Sequence, residues 1–69
     1  MTLGTYIKDT RKQMKIRQQD FAAKIGITKQ ALWFIETDAV TPSWNTIHKM
    51  IELGLDKNTM TDLILNRIN

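Results

Sequence analysis

Apolar side chains recur along this chain at helical rather than alternating spacing, and they do so in five short blocks. Leu3, Ile7, Thr10 and Met14 fall at i, i+4, i+7 and i+11, one face of a helix over about Leu3–Met14 started by Thr2 or Gly4. Phe21, Ala22 and Ile25 give a second inward face within about Gln18–Ile25, and Leu32 and Ile35 a third within a helix that follows Thr28 and reaches about Thr37. Ile47, Met50 and Ile51 mark a fourth helix over about Pro42–Leu53, with Thr41 as its cap, Pro42 at its first position and Gly54 as its stop. A fifth opens at Asp56 or at Thr59, the latter in a weak capping box with Asp62, and carries Met60, Leu63, Ile64 and Ile68 on one stripe. No segment reads as a strand. The pattern predicts an all-α bundle forming a single domain over residues 1–69.

Between the second and third blocks lies the most constrained stretch. Gly26 stands where the chain has to bend, because glycine enters positive φ without a steric penalty. Ala22, four residues earlier, keeps the second helix thin, and Thr28 can accept a bond from a free N–H of the next one. Two short helices joined in this way form a helix-turn-helix, whose second helix commonly enters the major groove of DNA.

Charge sharpens that picture. The net charge is +3. Its distribution is uneven: residues 1–30 hold seven basic against two acidic side chains, residues 31–69 three against five. The turn motif therefore sits in the basic half, as a phosphate footprint requires. Absence of cysteine removes disulfides and thiolate metal sites and fits a reducing cytoplasm. No apolar run approaches the roughly 20 residues that span a bilayer, and no signal segment opens the chain. The expected location is cytoplasmic, with no membrane association.

The residues also carry a resemblance. Leu3–Gly4, Ile7, Arg11, Gln18, Ala22, Gly26, Thr28, Ile35–Glu36 and Pro42–Ser43 occur in the order and at the spacing of the Cro and phage-repressor (Xre-type) DNA-binding domains. The chain resembles that family over nearly its whole length, which implies a five-helix lambda-repressor-like helix-turn-helix fold. By the same resemblance Thr28, Lys29, Gln30, Trp33 and Phe34 face the bases, while Gln18 clamps a backbone phosphate with Lys15, Arg17 and Gln19 beside it. Arg11 and Glu36 match positions that form a structural ion pair between the first and third helices. Chemistry supports part of this directly, since glutamine can bond bidentately to adenine and lysine reaches guanine acceptors or phosphate.

Several positions depart from the family pattern. Trp33 and Phe34 are large and apolar where the family carries polar or small side chains, and three readings stay open for them. One ring can tuck against the domain edge, both can meet thymine methyl groups or sugars, or both can anchor a protein partner. Lys15 replaces a turn glycine, Arg17 replaces a Ser or Thr cap, and Thr10 replaces a core leucine. The loop Thr37–Thr41 has Asp38 and no base where phosphate-gripping cations are usual. Trp44, by contrast, matches a family position at the start of the fourth helix that is usually apolar; core is the default reading there, although the helix N-terminus could also approach phosphate.

Other chemistry is poorly supplied. His48 has only Glu52 at i±4, too few ligands for a metal. Three glycines form no phosphate loop, and no nucleophile, base and acid set presents itself. We expect no enzyme activity, no cofactor and no small-molecule effector. The sequence-based expectation is a dimeric, sequence-specific regulator of double-stranded DNA, with the fifth-helix stripe as either core or dimer seam. The alternative is the same fold used to bind a protein, as an antirepressor or inhibitor, through Trp33 and Phe34.

Overall fold

A computed structural model describes residues 1–68 of the backbone and the side chains of residues 1–66. The elements are α1 (Leu3–Gln13), α2 (Gln18–Lys24), α3 (Lys29–Glu36), α4 (Trp44–Leu53) and α5 (Lys57–Ile68), with no strand among the described residues. The all-α, five-helix expectation is met. α3 packs on α2 and α1, and α5 closes against α1. Leu3, Ile7, Phe21, Ala22, Ile25, Leu32, Ile35, Ile47, Met50, Leu55, Met60 and Ile64 make one buried cluster drawn from all five helices and the α4–α5 connection. Phe21, Leu3, Ile7, Ile25, Leu32, Met50 and Met60 are its largest fully enclosed side chains.

Side-chain oxygens start four of the helices. Thr2, Thr28, Ser43 and Asp56 each accept from a backbone N–H three residues on, at Thr5, Ala31, Thr46 and Thr59. Thr2, not Gly4, therefore caps α1. Asp56 opens α5, and Thr59 serves as its hydrogen-bond donor rather than as a cap of its own. Hydrogen bonds from the Thr59 hydroxyl and then its backbone N–H hold the Asp56 carboxyl below its ordinary range. A carboxylate with a lowered folded-state value stabilises above its unfolded value, and that help fades as pH falls through the folded one.

α4 starts later than its sequence suggests. Ser43, not Thr41, is its cap, so Pro42 lies outside the helix and Trp44 is its first residue. Pro42 thereby occupies the position before the cap and Ile47 the fourth helical position, the two sites of a hydrophobic staple, and both are buried. Ile27 and Leu32 stand in the same relation at the start of α3.

One device ends four helices. The N–H groups of Lys15 and Ile16 bond Lys12 and Arg11 carbonyls, those of Gly26 and Ile27 bond Ala23 and Ala22, those of Asp38 and Ala39 bond Ile35 and Phe34, and those of Gly54 and Leu55 bond Ile51 and Met50. This is the Schellman pattern, and it requires positive φ at the first residue of each pair. Glycine fills it at 26 and 54 (φ 77° and 134°), but Lys15 (61°) and Asp38 (64°) adopt it with a Cβ present.

Asp38 has a compensating bond: its Oδ1 accepts the Gly4 N–H at 2.9 Å, tying the loop to the first turn of α1. Gly4 itself permits the approach. A Cβ there would lie 2.6 Å from the carbonyl oxygens of both Glu36 and Ile35. Far along the chain, the Tyr6 hydroxyl accepts the Asp56 N–H at 2.9 Å and joins α1 to the start of α5.

Met60 and Ile64 are buried in the chain's own core and Leu63 packs against it, so these three residues of the fifth-helix stripe serve the core. Ile68 lies outside the described side chains.

Two stability changes are expected from this frame. Gly4→Ala forces α1 off α3 and should cost about 1–3 kcal/mol, the range for overpacking, read as a lowered urea midpoint. Lys15→Gly relieves a left-handed residue worth about 1 kcal/mol, partly offset by a more flexible unfolded chain, and should raise the melting temperature by a few degrees.

Candidate nucleic-acid interface

The arrangement of α2 and α3 follows from one buried carboxylate. The Glu36 side chain is 2% exposed and that of Arg11 10%. Arg11 donates from Nε to Glu36 Oε2 at 2.7 Å and from Nη2 to Oε1 at 3.2 Å, a two-pronged pair linking α1 to α3. Its Nη1 donates to the Ile16 carbonyl at 3.0 Å, fastening the α1–α2 turn. Gln18 completes the set, donating from Nε2 to Glu36 Oε1 at 3.1 Å. A carboxylate only accepts, so the amide nitrogen of Gln18 must face it. The nitrogen's second N–H remains available to a phosphate oxygen.

On the other side of α3 the helix is open. Thr28, Lys29, Gln30, Trp33 and Phe34 are all exposed, whereas Leu32, Ile35 and Glu36 are buried. The Thr28 hydroxyl oxygen accepts the Ala31 N–H at 3.0 Å, which leaves its hydrogen free to donate outward. Gln18, Lys29, Gln30, Trp33 and Phe34 line one open groove of about 420 Å³. The fold thus brings four of the five residues expected to face bases next to one expected to hold phosphate.

Neither aromatic tucks into the core. Trp33 is 51% exposed and Phe34 37%, with ring centroids 5.3 Å apart and planes at 73°, an edge-to-face pair. Phe34 still has nearly two thirds of its surface covered, against about half for Trp33.

Lys15 and Gln19 are exposed at the start of the α1–α2 turn and in the first turn of α2. Arg17 precedes α2 without any side-chain cap bond, and its Nε donates to Asp20 Oδ2 at 3.0 Å. Both partners of that pair are well solvated, so it contributes at most about 1 kcal/mol and yields readily to a better anion. Asp38, which the sequence set against phosphate, directs a carboxylate oxygen at the Gly4 N–H instead.

Trp44 corrects the expectation that it is core. It is 70% exposed. Because α4 begins at residue 44, the ring projects from the helix's first position, and Thr46, Ile47 and Met50 supply the buried face. It lines a second open groove, of about 460 Å³, with Asn45, Ile47, His48, Ile51, Lys57 and Thr61. His48 lies 3.2 Å from Glu52 on the exposed side of α4. No group of three or more metal-ligating side chains occurs among the described residues.

Sequence reasoning named Gly4 only as a possible helix start and a family-pattern residue, and did not single out Tyr6. Their partners lie 34 and 50 residues away, and local pattern holds no trace of such pairs.

The helix-turn-helix family model, of the Cro and phage-repressor (Xre-like) type, matches residues 7–54. The chain belongs to that family. Searches of the curated proteins and of the solved structures returned no significant match. The matched stretch contains α2, α3 and the whole Arg11–Glu36–Gln18 set. The family is one of DNA-binding regulator domains and not of enzymes, and it supports DNA binding as the general activity of this chain. Among the described residues no helix is long and apolar enough to cross a membrane.

Breaking the buried pair tests its weight. Arg11→Ala leaves Glu36 enclosed without its cation and should cost about 3–5 kcal/mol, measured by chemical denaturation. Replacing both partners by apolar residues of similar volume should recover much of that loss.

Proposed function

We propose that this chain is a sequence-specific transcriptional regulator of double-stranded DNA, a Cro-like repressor of a phage or mobile element that binds its operators as a dimer. The observation that carries the reading is the uncovered face of α3, where Lys29 and Gln30 stand free to solvent. α3's one acidic residue, Glu36, is buried and neutralised by Arg11. A rod with such a face can enter a major groove about 12 Å wide. Thr28, Lys29, Gln30, Trp33 and Phe34 face the bases, and Lys15, Arg17, Gln18 and Gln19 approach the phosphates from the turn and α2.

Gln18 has two tasks in this scheme. One N–H holds Glu36, and the other meets a phosphate oxygen, so the contact is rigid before DNA arrives. Pre-set geometry lowers the ordering cost of binding. Lys15 and Arg17 add charge rather than direction, and their contribution is expected to be sequence-independent and salt-sensitive. Two copies would present their α3 helices to half-sites about 34 Å apart, one turn of the duplex.

The exposed aromatic pair also favours a second reading, in which the same face captures a protein, as an antirepressor does. A mobility-shift series at several salt concentrations, using DNA from upstream of the chain's own coding region, separates the two. Saturable, salt-weakened binding upholds the regulator. Silence on all DNA, with a protein co-purifying, overturns it.

Two classes of variant should then behave differently. Lys29→Ala and Gln30→Ala should each lose about 1–3 kcal/mol of discrimination between operator and random DNA. Lys15→Ala and Arg17→Ala should weaken binding to every sequence and reduce the slope of log K against log salt by about 0.9 each. Equal loss on operator and random DNA for Gln30→Ala removes it from base reading.

A further inference from the structure

We infer that Trp33 and Phe34 hold thymine 5-methyl groups in the major groove, so that the sites this chain selects carry thymine beside the base met by Gln30. The inference rests on the DNA-binding reading above and names what the α3 face recognises.

Position comes first. Gln30 precedes Trp33 by three residues and Phe34 by four, so both rings lie one helical turn beyond it on the same outward side. All three line the same open groove with Lys29 and Gln18. A ligand that meets Gln30 therefore meets the rings as well.

Chemistry selects the ligand. The edges of base pairs in the major groove offer hydrogen-bond donors and acceptors, and one apolar group, the thymine methyl. Two rings that expose half and more than a third of their surface have no donor or acceptor to offer except the indole N–H. Their faces and edges match the methyl and nothing else on those edges. Glutamine pairs bidentately with adenine. An A·T-rich centre of the half-site satisfies both preferences at once.

Rigidity supports the assignment. The rings pack edge to face, 5.3 Å between centroids, which restrains each against rotation. The Thr37 hydroxyl donates to the carbonyls of Trp33 and Phe34, and the N–H groups of Ala39 and Val40 also reach the Phe34 carbonyl. The backbone beneath the rings is thus held from the C-terminal side of α3. Charge at the rim points to nucleic acid rather than to a protein groove: Lys29 borders the rings, and Gln18 brings an amide N–H suited to phosphate.

The test removes methyl groups from the DNA one at a time. Duplex sites are selected from random sequence with the intact chain, and each thymine is then replaced by deoxyuridine. Expected is an approximately fourfold loss of affinity at one or two positions per half-site, adjoining the pair read by Gln30. That corresponds to about 0.8 kcal/mol at 1.4 kcal/mol per tenfold. The loss should be the same at low and high salt, since no charge is involved. Trp33→Ala or Phe34→Ala should bind the thymine site more weakly and no longer distinguish it from the deoxyuridine site.

A selected site that binds equally well with every thymine replaced overturns the inference and leaves DNA binding standing. An undiminished deoxyuridine penalty in both alanine variants overturns it too, and frees the rings for a protein partner. Failure to select any DNA overturns the regulator reading and this inference with it. The wild-type measurement decides the matter even if a variant fails to fold, and circular dichroism identifies that case.

Discussion

A carboxylate taken out of water loses hydration that only charged or polar partners can replace, and Glu36 finds three such bonds in two side chains. Those partners come from α1 and α2, while Glu36 belongs to α3. The relative placement of the three helices is therefore set by directional bonds as well as by apolar contact. Buried ion pairs are weak net stabilisers compared with well-packed apolar side chains. What this one supplies is direction. The apolar burial of Leu32 and Ile35 is non-directional, whereas a two-pronged guanidinium contact fixes an angle. The outward angle of Lys29 and Gln30 follows from that restraint.

The same restraint explains how large rings remain on the surface of a small domain. A chain of this length has few apolar residues to spare for its interior. Turning α3 to bury Trp33 would draw Glu36 away from Arg11 and break the buried ion pair. The core is instead completed from the far end of the chain, by Leu55, Met60 and Ile64. Keeping two aromatics in water is a cost that the folded state carries and that binding can recover.

Much of this architecture is readable from residue order. Helical spacing located all five helices, Gly26 marked the bend between α2 and α3, and Thr28 announced its role as a cap. The resemblance to known repressor domains paired Arg11 with Glu36, a contact across 25 residues that no local pattern reveals. The misreadings share a cause. Thr41–Pro42–Ser43 offers two hydroxyls for one helix start, and the rule favouring proline at the first helical position chose the wrong one. Burial of Pro42 together with Ile47 decides it, and this is a tertiary matter. Trp44 reads as core because its family position is usually apolar, whereas at the first position of α4 it stands exposed. Asp38 looked like an unwelcome charge because nothing in the sequence shows that Gly4 lies within reach of it. The orientation of Trp33 and Phe34 was left open for a similar reason, since Leu32 and Ile35 alone do not fix the angle of α3.

The bond between the Tyr6 hydroxyl and the Asp56 N–H has a consequence for what counts as a unit here. The stretch that the family model matches, 7–54, leaves out Leu3, Gly4, Tyr6, Leu55, Met60 and Ile64. Cut down to those bounds, the polypeptide would lose both flanks of its interior and the phenol that joins them. Recognisable ancestry and autonomous folding thus have different borders in this molecule. The residues beyond 7–54 on either side are among those that close its core.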